Sequence, residues 1–295
     1  ATWLAWPHYR DDWPGKFEPI PWVYAEIIRH LARNERVELM VNDSASEKRA
    51  KNILDRAHAL SENVRFHRWP TDRVWTRDSG CTFITQPGIT QPSSTRAHRF
   101  DSELARASEL LAVKWRFNAW SKYSNYQRDE TIGSLMANAA DATELRPAFG
   151  KHRVVLEGGS IDVNGGGTLL TTEECLLSKI QQRNRTMKRR DYEKLFAAYL
   201  GVKKVIWLGS GISGDDTHGH VDDITRFVAP DTVVTAVETN PDDPNYEPLR
   251  ENIRRLRVAA DQDGKPLAII ELPMPAPVIF EGRRLPASYA NFYIA

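Results

Sequence analysis

Short apolar runs typical of β-strands alternate with amphipathic helices along the whole chain. Val37–Val41 and Val64–Trp69 predict strands on either side of a polar helix near Ser46–Leu60, and the apolar spacing within Trp22–Arg33 predicts another helix. No glycine- or serine-rich linker interrupts the alternation. The sequence therefore predicts a single α/β domain over residues 1–295.

The middle of the chain contains two further patterns. Asp101–Leu111 predicts a helix that is followed by a strand at Val113–Phe117. Arg153–Val163 and Thr168–Thr172 predict the two strands of a hairpin, because the Asn164-Gly165 pair between them favours a turn.

Composition excludes several classes of protein. Lys and Arg together number 40 and Asp and Glu 39, so the net charge of +1 argues against nucleic acid as a partner. No run approaches the roughly 18 apolar residues of a membrane helix. Cys81 and Cys175 are too few for a disulfide framework or a thiolate metal site, and the first residues lack the pattern of a secretory signal. We therefore expect a cytoplasmic protein with no membrane or nucleic-acid partner.

Both ends of the chain have the pattern of structured protein. The chain opens on the apolar run Ala1–Trp6 without an initiator methionine and closes on the strand-like run Asn291–Ala295. Native termini usually end in polar, poorly ordered residues. We therefore expect the natural protein to extend beyond both ends.

Three polar stretches are candidates for chemistry. Thr71–Gly80 places two Asp, two Arg and Trp75 between predicted strands, where loops commonly carry functional residues. In the second, Glu157 stands between an apolar strand and two glycines that permit close backbone approach. The alternatives are an ordinary charged turn and a strand-edge glutamate in water.

The third stretch, Gly214–Asp223, holds two His and four Asp. On a strand, His220 and Asp222 would point to the same side and into one pocket. A second interpretation is a metal site that uses His218, His220 and Asp222, although such sites usually need further ligands.

Taken together, these stretches resemble the agmatine deiminase and Porphyromonas-type peptidyl-arginine deiminase family. Matching segments run from one end of the chain to the other. They are Trp3–His8 with Asp12–Pro14, Trp75–Gly80, Glu157–Asp162, Thr171–Leu177, Gly219–Asp222, and Leu285–Tyr289 with Asn291–Tyr293.

The resemblance implies the pentein fold, a five-bladed α/β propeller of ββαβ units around a central active site. It also implies hydrolysis of a guanidino group without a metal or other cofactor. In that reaction Asp78 and Asp222 grip the guanidinium, His220 is the general acid and base, and Glu157 is a further acid. These roles suit the chemistry, since a planar cation with many donors calls for carboxylates and a histidine titrates near neutral pH. Trp75 could stack on the cation.

The chain departs from the family pattern at the nucleophile. The family uses a cysteine near the C-terminus, after a glycine-rich stretch and a histidine, and no such stretch occurs in these 295 residues. Cys81 does not match that position, and we expect Cys175 to be a buried packing residue. The propeller is therefore expected to lack its C-terminal part here, with the nucleophilic cysteine beyond residue 295.

The leading functional hypothesis is hydrolysis of agmatine, a small cationic guanidino substrate, to N-carbamoylputrescine and ammonia in putrescine and polyamine biosynthesis. Free arginine and peptidyl-arginine are alternative substrates. His8, Asp12, Trp120 and Tyr123 are candidates for holding the far end of the substrate, and the resemblance implies a homodimer. Two hypotheses from other classes remain: a metal-dependent hydrolase that uses His218, His220 and Asp222, and a non-catalytic guanidinium-binding protein.

Overall fold

The computed structural model describes residues 1–86 and 109–294, and it is a mixed α/β structure. Its helices are α1 Ile20–Leu31, α2 Ser44–Arg56, α3 Thr76–Ser79, α4 Asp129–Ala139, α5 Glu173–Leu177, α6 Arg189–Leu200 and α7 Tyr246–Arg257. Its strands are β1 Thr2–Ala5, β2 Val37–Met40, β3 Val64–His67, β4 Thr82–Gln86, β5 Glu109–Val113, β6 Thr143–Leu145, β7 Ala148–Phe149, β8 His152–Arg153, β9 Asp162–Val163, β10 Thr168–Thr172, β11 Lys204–Leu208, β12 Thr225–Ala229, β13 Thr232–Val237, β14 Ala268–Pro273, β15 Ile279–Phe280 and β16 Arg283–Arg284.

The same small sheet recurs along the described chain. β4-β5-β6, β9-β10-β11 and β12-β13-β14 each combine one antiparallel pair with one parallel pair. A helix (α4, α6 or α7) connects the two parallel strands in each case, so these are three ββαβ units. The first sheet, β1-β2-β3, is parallel throughout, with α1 and α2 as its crossovers.

Local sequence signals explain where several helices begin and end. The carboxylate of Asp43 accepts the N–H of Ser46 and caps the start of α2. Gly201 ends α6 at φ 67°, a conformation that glycine adopts without steric cost. α7 buries Leu249, Ile253 and Leu256 on one face, and arginines occupy its last turn, where the helix dipole favours cations. Of these helices, α2 agrees with the helix predicted near Ser46–Leu60 to within a few residues.

β10 lies in the hydrophobic core and ends beside the candidate site. All five of its residues are buried. Leu169 packs in the cluster that contains Phe196, whereas Leu170 packs on the opposite face with Leu208 and Val221. This alternation is expected for a strand covered on both faces. At its end, Thr172 caps α5 by accepting the N–H of Cys175.

Three predicted elements are wrong. The strand predicted at Val113–Phe117 lies earlier in the chain, since β5 ends at Val113 and Arg116 forms an isolated bridge with Val155. Glu109–Val113 is a strand, not the end of a helix over Asp101–Leu111, and residues 101–108 of that prediction lie outside the described part. Pairing with β4 on one side and β6 on the other overrides the helical preference of its leucines. The predicted strand Arg153–Val163 is interrupted by a 3₁₀ turn at Gly158–Ser160. Among the described helices, none is long and apolar enough to cross a membrane.

Candidate active site

Asp78 is held in place by two donors from distant parts of the chain. It lies in α3, where its two carboxylate oxygens accept the N–H of Gly159 at 2.9 Å and the indole N–H of Trp120 at 3.0 Å. The preceding segment is anchored by Asp129, whose carboxylate accepts the N–H groups of Asp72 and Arg73. The interpretation of this stretch as an ordinary solvated turn is therefore wrong.

Glu157 is fully buried and already paired. Its side chain and that of Arg183 are both 0% exposed, and Arg183 Nε lies 3.1 Å from Glu157 Oε1. The other oxygen, Oε2, lies 3.7 Å from Nε2 of His220. Burial alone would raise the pKa of Glu157, but the charges of Arg183 and His220 outweigh it and lower the pKa to about 2. The alternative of a strand-edge glutamate in water is wrong.

His220 is positioned through its backbone. It comes directly before the 3₁₀ turn Val221–Asp223, so the prediction that His220 and Asp222 share a strand is wrong. The carboxylate of Asp215 accepts the N–H groups of Gly219 and His220, which fixes the start of this turn. A turn brings the two side chains together as the strand would have done, since Nδ1 of His220 lies 3.9 Å from Oδ1 of Asp222.

Electrostatics favour the charged form of His220. Burial by itself would lower the pKa of the imidazole, but the carboxylates of Asp78 and Glu157, together with Cys175, raise it well above its usual value. Nδ1 of His220 also lies 3.9 Å from Oδ1 of Asp78. The ring is therefore placed to hold a proton between carboxylates.

Gly159 is the point on which three of these side chains converge. A Cβ built there would overlap Nδ1 of His220 and would lie 2.9 Å from Oδ1 of Asp78 and 3.0 Å from Oδ2 of Asp222. Any larger residue would displace His220 and press on both carboxylates, so the glycine leaves room for the three side chains to converge. The structure thus brings the partly buried Asp78 together with the buried side chains of Glu157, His220 and Asp222.

Asp222 already contacts a guanidinium group of the protein. Nε of Arg77 lies 2.8 Å from its Oδ2. Burial raises the pKa of Asp222, and the nearby charges of His220 and Arg77 oppose that rise. The Asp222 carboxylate is therefore paired with a cation of the protein itself in this structure.

The other predicted site residues have different surroundings. The carbonyl oxygen of Trp75 accepts the N–H of Asp78. Trp75 is 40% exposed and packs against Trp13, with ring centroids 5.8 Å apart. Of the four candidates for the substrate's far end, only Trp120 contacts the group, through Asp78. Asp12 is paired with Arg73.

The proposed three-residue metal cluster is not assembled as predicted. His218, at φ 65°, turns its ring toward Glu174 and Ser178 and away from Asp222. Among residues 1–86 and 109–294, the set of side chains that could jointly hold a metal ion is Glu157, Cys175 and His220.

The profile of the Porphyromonas-type peptidyl-arginine deiminase family matches residues 1–295. The chain belongs to this family. It is 34% identical over 313 residues to the agmatine deiminase of Medicago truncatula, covering 99% of this chain and 78% of the relative. It is 33% identical over 282 residues to the agmatine deiminase of Pseudomonas fluorescens, covering 94% of this chain and 68% of the relative.

Solved structures of family members share the fold of this deiminase-family chain. The agmatine deiminase of Enterococcus faecalis superposes with a TM-score of 0.80 at 27% identity, covering 98% of this chain and 77% of that one. A substrate-bound C315S agmatine deiminase of C. jejuni superposes with a TM-score of 0.77 at 28% identity, covering 98% and 75%.

Sequence reasoning missed two supports of the deiminase-family site. Arg183 lies 26 residues from Glu157 in the sequence, and nothing in its local pattern marks it as buried. Asp215 lies within the noted His/Asp stretch, but only the fold shows that its carboxylate binds backbone N–H groups instead of a ligand. Cys175, expected to be a packing residue, is buried but also neighbours Glu157 and His220.

Proposed function

We propose that this protein hydrolyses the guanidino group of agmatine, giving N-carbamoylputrescine and ammonia. The observation that carries the proposal is the convergence of Asp78, His220 and Asp222 on Gly159, with Glu157 behind them. The two carboxylates suit a planar guanidinium cation, and the charged histidine can protonate the nitrogen that departs. The agmatine deiminases among the relatives point to the substrate.

In the proposed reaction, Asp78 and Asp222 bind the guanidinium and align its carbon for attack by a thiolate. The new C–S bond forms, and the C–N bond breaks as the departing nitrogen takes a proton from His220 and leaves as ammonia. A water molecule then gives a proton back to His220 and adds to the same carbon. The C–S bond breaks and the remaining hydroxyl proton passes to solvent, which releases the ureido product and restores the thiolate. Glu157 holds His220 in its charged form.

The proposed nucleophile is a cysteine outside the 295 residues. Burial raises the pKa of the Cys81 thiol to about 12, which makes it a poor nucleophile at neutral pH. Cys175 is buried. We also propose that the three ββαβ units are blades of a five-bladed pentein propeller whose C-terminal part lies outside this sequence, in a cytoplasmic homodimer.

The test measures ammonia release by the full-length natural protein with agmatine, free arginine and an arginine peptide. We expect the highest kcat/KM with agmatine, and a preference for arginine or the peptide would correct the substrate. A metal-dependent hydrolase would lose activity on chelation, and a guanidinium-binding protein would bind agmatine without releasing ammonia.

A second experiment locates the nucleophile. A haloacetamidine, which resembles a guanidinium and alkylates thiolates, should label a cysteine outside residues 1–295 and abolish activity. The Cys81→Ser variant is the matched control and should be labelled and inactivated as fast as the wild type. Stoichiometric labelling of Cys81 or Cys175 with loss of activity would contradict the proposal.

A further inference from the structure

The two ring nitrogens of His220 face different surroundings. Nδ1 lies near Asp78 and Asp222, both at 3.9 Å, whereas Nε2 lies 3.7 Å from Oε2 of Glu157. Nε2 and Oε2 are both buried, and neither has a hydrogen-bond partner among the described residues. Buried polar atoms without partners are rare in folded proteins and call for an explanation. Here they belong to one group with Cys175.

The ligand atoms of Glu157, Cys175 and His220 all lie within 4.8 Å of one another, and all three residues are buried. A thiolate, an imidazole and a carboxylate are the donors that Zn²⁺ takes in proteins, at bond lengths of about 2.0–2.3 Å. Donors at those lengths around a tetrahedral ion are roughly 3.3–3.7 Å apart. A nitrogen and an oxygen donor fall at about 3.3–3.5 Å within that range, so Nε2 and Oε2, now 3.7 Å apart, need to approach by only a few tenths of an ångström to share an ion.

We propose that Glu157, Cys175 and His220 form an inhibitory Zn²⁺ site. The ion takes the place of the protons on the sulfur of Cys175 and on Nε2 of His220, and it binds the free oxygen of Glu157. The fourth coordination position is left for a water molecule or another ligand.

The surroundings of the three ligands are those of a metal site. A zinc-binding histidine almost always has a carboxylate, a carbonyl or a water at its other ring nitrogen, and here Asp78 and Asp222 occupy that side of His220. Ligating carboxylates are themselves hydrogen-bonded, and Arg183 binds Oε1 of Glu157 while leaving Oε2 free. The ligands are therefore oriented before any ion arrives.

Inhibition follows from the overlap with catalysis, and this consequence rests on the proposed function. An ion on Nε2 removes His220 from proton transfer and takes up the free oxygen of Glu157. Zinc is thus expected to lower the activity, whereas a catalytic metal would be needed for it. Chelation should therefore raise the activity of a zinc-loaded sample.

Metal binding is tested first without any substrate. The purified protein is titrated with Co²⁺, a spectroscopic substitute for Zn²⁺. We expect one equivalent to bind with tetrahedral d–d bands and a thiolate-to-cobalt charge-transfer band, and Zn²⁺ to displace it. Cys175→Ser should lose the charge-transfer band and weaken binding by more than the 10–100-fold typical of an outer-shell change. Cys81→Ser is the matched control and should bind as the wild type does.

Absence of stoichiometric Co²⁺ binding by the wild type would overturn the inference, and this result does not depend on any variant folding. Persistence of the charge-transfer band in Cys175→Ser, with circular dichroism showing a folded protein, would also overturn it. Zinc should then inhibit agmatine turnover by the full-length wild type, and Cys175→Ser should need more than tenfold more zinc for half-inhibition of its own rate. If full zinc loading leaves the rate of turnover unchanged, the inhibitory role is refuted. Metal binding with no turnover of any guanidino substrate would instead refute the proposed function and leave the site standing.

Discussion

Replacing Arg183 by methionine tests how far Glu157 depends on its buried cation. Both side chains are 0% exposed, and besides Glu157 the guanidinium also donates to the carbonyl oxygens of Gln181 and Thr217. Methionine roughly keeps the volume but leaves a buried carboxylate without its partner. Breaking a buried pair from one side costs about 3–5 kcal/mol, so Arg183→Met should lower the free energy of unfolding by that amount.

The reverse change is expected to cost less. In Glu157→Gln the amide oxygen can still accept from Arg183 Nε, and Arg183 keeps its two carbonyl acceptors. Loss of one charge-assisted hydrogen bond costs about 1.5–3 kcal/mol. In the double variant neither charge remains without its partner. Its cost should therefore fall short of the sum of the single costs by about 0.5–3 kcal/mol.

The assay is urea unfolding of the wild type, the two single variants and the double variant, with the m-values compared to confirm one common transition. Arg250→Met is the matched control, because Arg250 and its partner Glu247 are 62% and 67% exposed. An exposed pair contributes about 0–1 kcal/mol, so the control should be nearly neutral. Additive single costs, or an Arg183→Met cost no larger than that of the control, would refute the reasoning.

Three further predictions concern the site and its support. Replacing Asp78 or Asp222 by Asn should lower kcat/KM for agmatine by a factor that corresponds to a loss of about 2–4 kcal/mol of transition-state stabilisation. A variant that keeps more than half of the wild-type activity would show that its residue is not part of the site. His220→Ala should abolish turnover, whereas His218→Ala should keep measurable activity, because the His218 ring lies near Glu174 and Ser178. Equal loss of activity and of bound metal in both variants would favour a metallohydrolase. Burial raises the pKa of Asp129 from 3.8 to about 7, although two backbone N–H groups oppose the rise. The stability gained from the raised pKa of Asp129 is therefore fully present below pH 3.8 and is lost as the pH rises toward 7. Asp129→Asn should flatten the fall in Tm over that range. An unchanged slope would show that Asp129 does not titrate there.

Much of the secondary structure could be predicted from the sequence, because hydrophobic periodicity reports which face of a segment is buried. The helices α1 and α2 and the strands β2 and β3 follow from it. β5 does not, since its leucines suit a helix and become a strand only through β4 and β6, which pair with it from either side. Such pairing joins segments that are distant along the chain, and no local pattern contains it.

The sequence by itself determined which residues are proposed for the chemistry, because Asp78, Glu157, His220 and Asp222 stand in motifs that run in the order of the family. Only the tertiary structure decided what each of them faces. Arg183 reaches Glu157 across 26 residues of sequence, Trp120 reaches Asp78 across 42, and Gly159 reaches it across 81. The environment of a buried charge depends on neighbours in space, which is why the cation beside Glu157 and the free face of His220 could be found only in the folded chain.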